Sequence, residues 1–265
     1  MTLRVSTRNA RFQQWQALLA NRTKRQRAGE FIVQGVRPID LATRHGWPVR
    51  ELLHPPGRLS TWARSVLDES DATAYEVAEE LLRELGDKAE TPELLAVVAL
   101  PDDDLDRVPV PGDFLGVVFD RPSSPGNIGT LIRSADAFGA HGVVIAGHAA
   151  DPYDPQAVRA STGSLFAVPV VRAPSASTVT GWLPGHVQVV GTDEHGDTDL
   201  AGCDLTVPTL LVIGNETTGM SAAWREACDR TVRIPIGGSA SSLNAATAAG
   251  ITLYEAARQR ARTGR

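Results

Sequence analysis

Thr209-Leu210-Leu211-Val212-Ile213-Gly214-Asn215-Glu216-Thr217-Thr218-Gly219 joins a continuous apolar run to a polar turn bounded by glycines. A run of this kind reads as a strand buried on both faces, which is the habit of parallel sheets. Three more segments share it: Phe114 to Phe119, Gly142 to Ala146 and Val187 to Val190. Each ends in glycine or a polar residue, namely Asp120, Gly147 and Gly191-Thr192-Asp193. Helical patterns separate the runs, so the segment predicts an α/β fold around a parallel sheet. In an open sheet of that class the ligand crevice lies beyond the carboxyl ends of the strands, where these polar residues should converge. The chain lacks both G-x-G-x-x-G and G-x-x-x-x-G-K-[ST], which argues against an ordinary dinucleotide or P-loop fold.

Working outward, prolines and acids interrupt all periodicity from Pro101 to Gly112. This reads as a linker over 101–112, dividing a domain of residues 1–100 from one of 113–265. In the first domain short apolar runs (Phe31 to Val33, Leu94 to Leu100) alternate with amphipathic segments (Ile39 to His45, Val77 to Leu85), which predicts a small α/β domain.

The 265 residues are 42% hydrophobic, ordinary for a globular chain, and carry a net charge of −5. That balance argues against a nucleic-acid partner until its distribution is read. Residues 1–37 hold Arg4, Arg8, Arg11, Arg22, Lys24, Arg25, Arg27 and Arg37 against the single acid Glu30. The expectation is a basic helical arm that faces RNA phosphates and binds in a salt-dependent way. No apolar run reaches membrane-spanning length and the N-terminus is polar, so a cytoplasmic location is expected. Cys203, Cys228 and the six histidines form no ligand spacing, so no metal is expected.

Two further segments carry chemistry-bearing side chains. Asn127-Ile128-Gly129-Thr130-Leu131-Ile132-Arg133 follows the turn Pro122 to Gly126 and enters a helix, with Asn127 read as its N-cap. Ile234-Pro235-Ile236-Gly237-Gly238-Ser239-Ala240-Ser241-Ser242-Leu243-Asn244 links a strand end to a final helix that Asn244 opens. Taken alone, Asn127 and Asn244 could be caps, Arg133 a surface cation, and Ser239 and Ser241 loop formers. His195 reads as a loop residue.

In this order, the three segments resemble the signature of the SpoU/TrmH branch of the SPOUT RNA 2'-O-methyltransferases. That resemblance implies a C-terminal domain with a deep trefoil knot, a homodimer, and S-adenosyl-methionine as cofactor without a metal. It implies that Asn127, Arg133, Glu216, Ser242 and Asn244 are catalytic and that Thr192, Gly214, Ile234 and Leu243 hold the cofactor. Arg133 is then either the base that takes the ribose proton or a cation that stabilises the alkoxide, acting in its own subunit or in trans. Glu30 to Arg37 is similar to the start of the family's L30e-like substrate-binding domain, with Gln34 where the family usually has glutamate. Ser6 to Gln16, Gly191 to Gly196 and Gly238 to Asn244 resemble the avilamycin/evernimicin-resistance group, which modifies a uridine ribose in large-subunit (23S) ribosomal RNA. A tRNA ribose methyltransferase and a non-catalytic RNA-binding assembly factor are the competing expectations.

Overall fold

A computed structural model describes residues 2–86 and 90–262. They form two compact units, one of Met1–Pro101 with Tyr153–Ala167, the other of Asp102–Pro152 with Val168–Arg265.

The first unit holds β1 (Leu3–Val5), α1 (Ala10–Ala20), α2 (Arg22–Ala28), β2 (Glu30–Gln34), α3 (Val36–Arg44), β3 (Val49–His54), α4 (Thr61–Glu69), β4 (Thr73–Val77), α5 (Glu79–Leu85) and β5 (Leu95–Ala99). Its sheet runs β1-β4-β3-β5-β2, with β1, β4 and β3 parallel and β5 antiparallel to both β3 and β2. Asn9 caps α1 by accepting from the Phe12 amide at 3.1 Å. The helix then buries Phe12, Trp15 and Leu18, spaced at one helical face, against Leu53, Val77, Leu82 and Leu95.

That packing makes α1 an integral helix of the unit and not an appendage. Helix α1 is part of the core, and Arg4, Arg8, Arg11 and Arg25 are spoken for inside the unit. Arg4 pairs with Glu76 at 2.5 Å, Arg8 with Glu84, and Arg11 with the buried Glu51, which also accepts from the Trp15 indole at 2.7 Å. Arg25 is buried; its guanidinium donates to the Leu18 carbonyl at 2.8 Å and faces Asp154 at 3.5 Å. Lys24, Arg27 and Arg37 are exposed and have no partner among the described residues. Charge counted along a sequence overstates a basic surface because acids distant in the chain fold onto it.

The second unit starts earlier than the expected boundary. Its opening segment, read as a free linker, packs through Val108, whose side chain fills the space a Cβ would need at Gly142. Then come β6 (Leu115–Asp120), α6 (Pro125–Ala137) and β7 (Gly142–Ala146), after which the chain joins the first unit for α7 (Pro155–Ser161). There Tyr153 and Phe166 pack on Phe31, and Trp47 donates to the Phe166 carbonyl at 3.1 Å, an aromatic anchor that no local pattern announced. The second unit is completed by β8 (Val170–Ala173), α8 (Ala176–Trp182), β9 (Gln188–Thr192), β10 (Thr198–Asp199), β11 (Thr209–Ile213), α9 (Ala222–Ala227), β12 (Arg230–Arg233) and α10 (Ala245–Arg262). Its strands lie in the order β10-β12-β9-β11-β6-β7-β8, every neighbouring pair parallel.

The four apolar runs of the sequence are thus β6, β7, β9 and β11. The strand end read before Ile234 is β12, and two strands escaped the reading: β8 is short and follows Pro169, and β10 is a two-residue piece. Among the described residues no helix is long and apolar enough to cross a membrane. Cys203 is buried; Cys228 is half-buried and its thiol is pushed up to about 11, chiefly by burial.

Candidate active site

The strand order switches sides about β6, with β7 and β8 added on one side and the later strands, beginning with β11, on the other, all of them parallel. Beyond the carboxyl ends of the adjacent strands β12, β9 and β11 opens a cavity of about 540 Å³. This is within the roughly 300–1,000 Å³ usual for small-molecule sites. Thr192, Gly214, Glu216, Ile234, Ser242 and Leu243 all line it, so six of the nine residues singled out in the sequence meet there. Thr192 donates through its hydroxyl to the Val212 carbonyl at 3.2 Å, which holds it at the wall. Gly214 is required: a Cβ there would sit 2.4 Å from the backbone of Gly219 and Met220, because Asn215 and Gly219 exchange backbone hydrogen bonds of 3.0 Å across the loop.

Glu216 stands at the tip of that loop as an acceptor for several donors. Its carboxylate receives the Ser123 amide at 2.9 Å, the Ser123 hydroxyl at 3.0 Å, the Ser124 amide at 3.1 Å and the Asn127 side-chain amide at 3.1 Å. Burial opposes its ionisation, but the hydrogen bonds from Ser123, Asn127 and Ser124 outweigh it and hold the carboxyl below its ordinary range. With both oxygens committed, Glu216 is built to position its neighbours.

Asn127 corrects the capping expectation. Ser124 is the N-cap of α6, accepting from the Asn127 amide at 3.3 Å, and Pro125 fills the first helical position. The Asn127 side chain is therefore free to work sideways: it donates to Glu216 and accepts from the Asn244 amide at 3.1 Å. Asn244 does cap its helix, through contacts from the Ala246 amide at 2.9 Å and the Thr247 amide at 3.2 Å. Asn244 does two things at once: its oxygen caps the helix while its nitrogen donates to Asn127 and completes the chain Asn244–Asn127–Glu216. Ser242 and Leu243 precede it in an exposed loop.

Arg133 is the exception among the expected residues. It is exposed on α6, does not line the cavity, and has no hydrogen-bond or ion-pair partner among the described residues. At 100° per residue it lies roughly 240° around the helix from Asn127, so the two face different ways. His195 keeps its loop reading: its side chain is 87% exposed at the cavity rim.

Several residues here were missed in the sequence. Asp120 is buried and accepts from the Ser221 amide at 2.7 Å, tying the end of β6 to the start of α9. Asp193 holds Arg225 at 2.5 Å on the cavity wall. Ser123 donates to Glu216 from a turn that reads as mere punctuation. A strand end marked Asp120 for notice, but nothing local announced partners that lie from about thirty to about a hundred positions away.

Two family models match this chain. The chain belongs to the SpoU rRNA methylase family, whose model matches residues 115–254, and the SpoU L30e-like domain model matches residues 9–96. It is 62% identical to the 23S rRNA (uridine(2479)-2'-O)-methyltransferase of Streptomyces viridochromogenes, over 97% of this chain and 92% of that one. Among solved structures, the SpoU methyltransferase AviRb from the same organism, in complex with the cofactor AdoMet, superposes with a TM-score of 0.92 at 62% identity, covering 96% of this chain and 99% of that one. The AdoMet-bound rRNA methyltransferase from Sinorhizobium meliloti gives 0.88 at 28% identity, with 97% and 98% covered.

Proposed function

We propose that this chain uses S-adenosyl-methionine to methylate a ribose 2'-hydroxyl, with a uridine of 23S ribosomal RNA as substrate. The observation that carries the reading is the Asn244–Asn127–Glu216 chain at the rim of a cavity whose walls suit an adenosine-bearing cofactor. Ile234, Ile236 and Leu243 offer apolar walls to a base. Gly214 lets backbone approach closely, and Arg225 supplies a cation. Thr192, Gly214, Ile234 and Leu243 would hold the cofactor, which would supply an electrophilic methyl group on its sulfonium with a neutral thioether as the leaving group, while the ribose hydroxyl proton would pass to water.

This chain's own work is alignment and charge. Glu216 fixes Asn127, and Asn127 with Asn244 and Ser242 orients the ribose; such alignment accounts for much of the barrier reduction in a displacement of this kind. Arg133 is a cation and not a base, because a guanidinium stays protonated in proteins. Its fork grips the phosphate beside the target and stabilises the developing alkoxide. Since it faces away from the cavity of its own subunit, it acts in trans in a homodimer, and the trefoil threading of the second unit belongs to the same reading. The first unit holds RNA through Lys24, Arg27 and Arg37. The protein works in the cytoplasm, and its methylation protects the ribosome against an antibiotic.

The test is to incubate the protein with labelled cofactor and either unmodified large-subunit rRNA or bulk tRNA, and to map methylated nucleotides by mass spectrometry. A 2'-O-methyluridine in rRNA alone is the expected result. Label in tRNA alone would overturn the substrate and keep the chemistry. Cofactor binding without label in either RNA, or in intact ribosomal particles, would leave a binding factor.

A further inference from the structure

Arg121, just after β6, has φ +50°, the left-handed region that a side chain with a Cβ disfavours. Such strain in a non-glycine residue persists only where the surroundings over-determine it, and it gathers near functional sites. The surroundings here are specific. The Arg121 amide donates to the Ala146 carbonyl at 2.8 Å, and the side chain lies over Gly147, where a Cβ would meet its Cγ at 2.9 Å. Its guanidinium grips the buried Asp120 through two hydrogen bonds of 3.1 Å and donates a third, also of 3.1 Å, to the Gly219 carbonyl. Its own carbonyl accepts from the Asn215 side-chain amide at 2.7 Å.

One residue therefore holds both ends of the loop 215–219, by main chain at one end and side chain at the other. Asn215 relays the grip inward, its Oδ1 accepting from the Thr217 and Thr218 amides at 2.9 and 3.0 Å. Between those ends stands Glu216, which sets Asn127. Arg121 itself does not line the cavity. We propose that Arg121 is a positioning residue for methyl transfer, clamping the loop 215–219 so that Glu216 presents Asn127 to the ribose. The proposal rests on the function given above. The turn that φ +50° makes is what brings carbonyl and guanidinium to the same loop, which accounts for a strained arginine at a position where glycine would be relaxed.

The test compares Arg121→Ala, Arg121→Lys, Asn215→Ala and the double Arg121→Ala/Asn215→Ala. Two readouts are amide hydrogen exchange by mass spectrometry, and kcat and KM for RNA scaled to the cofactor-binding fraction. Arg121→Ala should accelerate exchange in the peptide 214–221 alone and lower kcat roughly 10- to 100-fold with KM little changed, the size expected of a sub-ångström to ångström misplacement. Lysine, which keeps the charge but offers a smaller donor set, should recover part of that loss. The double variant should be no worse than the poorer single one, because both cut the same clamp. If the alanine leaves the buried Asp120 carboxylate too costly for folding, Asp120→Asn with Arg121→Ala removes that charge and carries the same comparison. Unchanged exchange in 214–221, additive losses, or a kcat drop accounted for by lost cofactor-binding protein would overturn the proposal. Faster loop exchange in a protein whose wild type transfers no methyl group would keep the clamp and overturn the function.

Discussion

Replacing Glu216 by glutamine is the sharpest single perturbation of the site, because it preserves shape and removes only charge and one acceptor. One carboxylate oxygen receives Ser124 and Asn127; the other receives both donors of Ser123 and, at 3.4 Å, Asn215. Whichever oxygen becomes the amide nitrogen, N–H groups then point at at least two donors. Hydrogen bonds to a charged group contribute about 1.5–3 kcal/mol each. Two lost bonds, halved because the site is part-exposed, leave about 1.5–3 kcal/mol. In a chain of this size that lowers Tm by about 3–12 °C. Asn127 is released at the same moment, so turnover should fall about 100-fold while cofactor affinity changes little. The pH dependence follows from the same bonds. The folded-state pKa of Glu216 lies below its unfolded value of 4.5, so its contribution is present above 4.5 and is lost as pH falls from there through the lowered folded value. Calorimetry of both proteins between pH 7 and pH 3 should show the wild type losing its advantage across that window, whereas Glu216→Gln has none to lose. Wild-type Tm and turnover in the variant would refute the positioning role.

Arg133→Ala should reduce methyl transfer by more than about 100-fold, as when one electrostatic stabiliser of a developing oxyanion is removed. Cofactor binding should be untouched, since the residue is outside the cavity, and mixing it with a cofactor-site variant should restore activity if it acts in trans. Gly214→Ala forces a Cβ to 2.4 Å from backbone and should abolish cofactor binding by calorimetry, with the fold retained by circular dichroism. Lys24→Ala with Arg27→Ala should flatten the dependence of RNA affinity on salt by about one to two units of log–log slope, leaving kcat alone; an unchanged slope would move the RNA surface elsewhere.

The parts of the fold and site that could be read from sequence were those written in contiguous residues. Thr209 to Ile213 announces a buried parallel strand because apolar continuity is a local property, and Ile234 to Asn244 puts Ser242, Leu243 and Ile234 on one cavity by chain proximity. Tertiary pairing is not legible. Asn127 reads as a cap because the competing hydroxyl of Ser124, three residues earlier, offers the same local chemistry, and only the position of Glu216 decides between them. The basic N-terminus loses the apparent charge of Arg4, Arg8, Arg11 and Arg25 to Glu76, Glu84, Glu51 and Asp154, none of which is near it in sequence. Arg121 carries no signal at all, since its left-handed backbone is imposed by Asp120, Asn215 and Gly219 together.

The passage of Tyr153–Ala167 into the first unit bears on how the protein is made. Phe31 and Trp47 leave the ribosome early, yet the aromatic partners that cover them, Tyr153 and Phe166, emerge only after the first two strands of the second sheet, β6 and β7, have been synthesised. At about 5–20 residues per second the N-terminal unit waits seconds with that surface uncovered, exposed to chaperones and to sister chains. A chain cut at Pro101 would be frozen at that stage, so neither half can be exchanged between proteins at the proline-rich boundary without leaving part of a core behind.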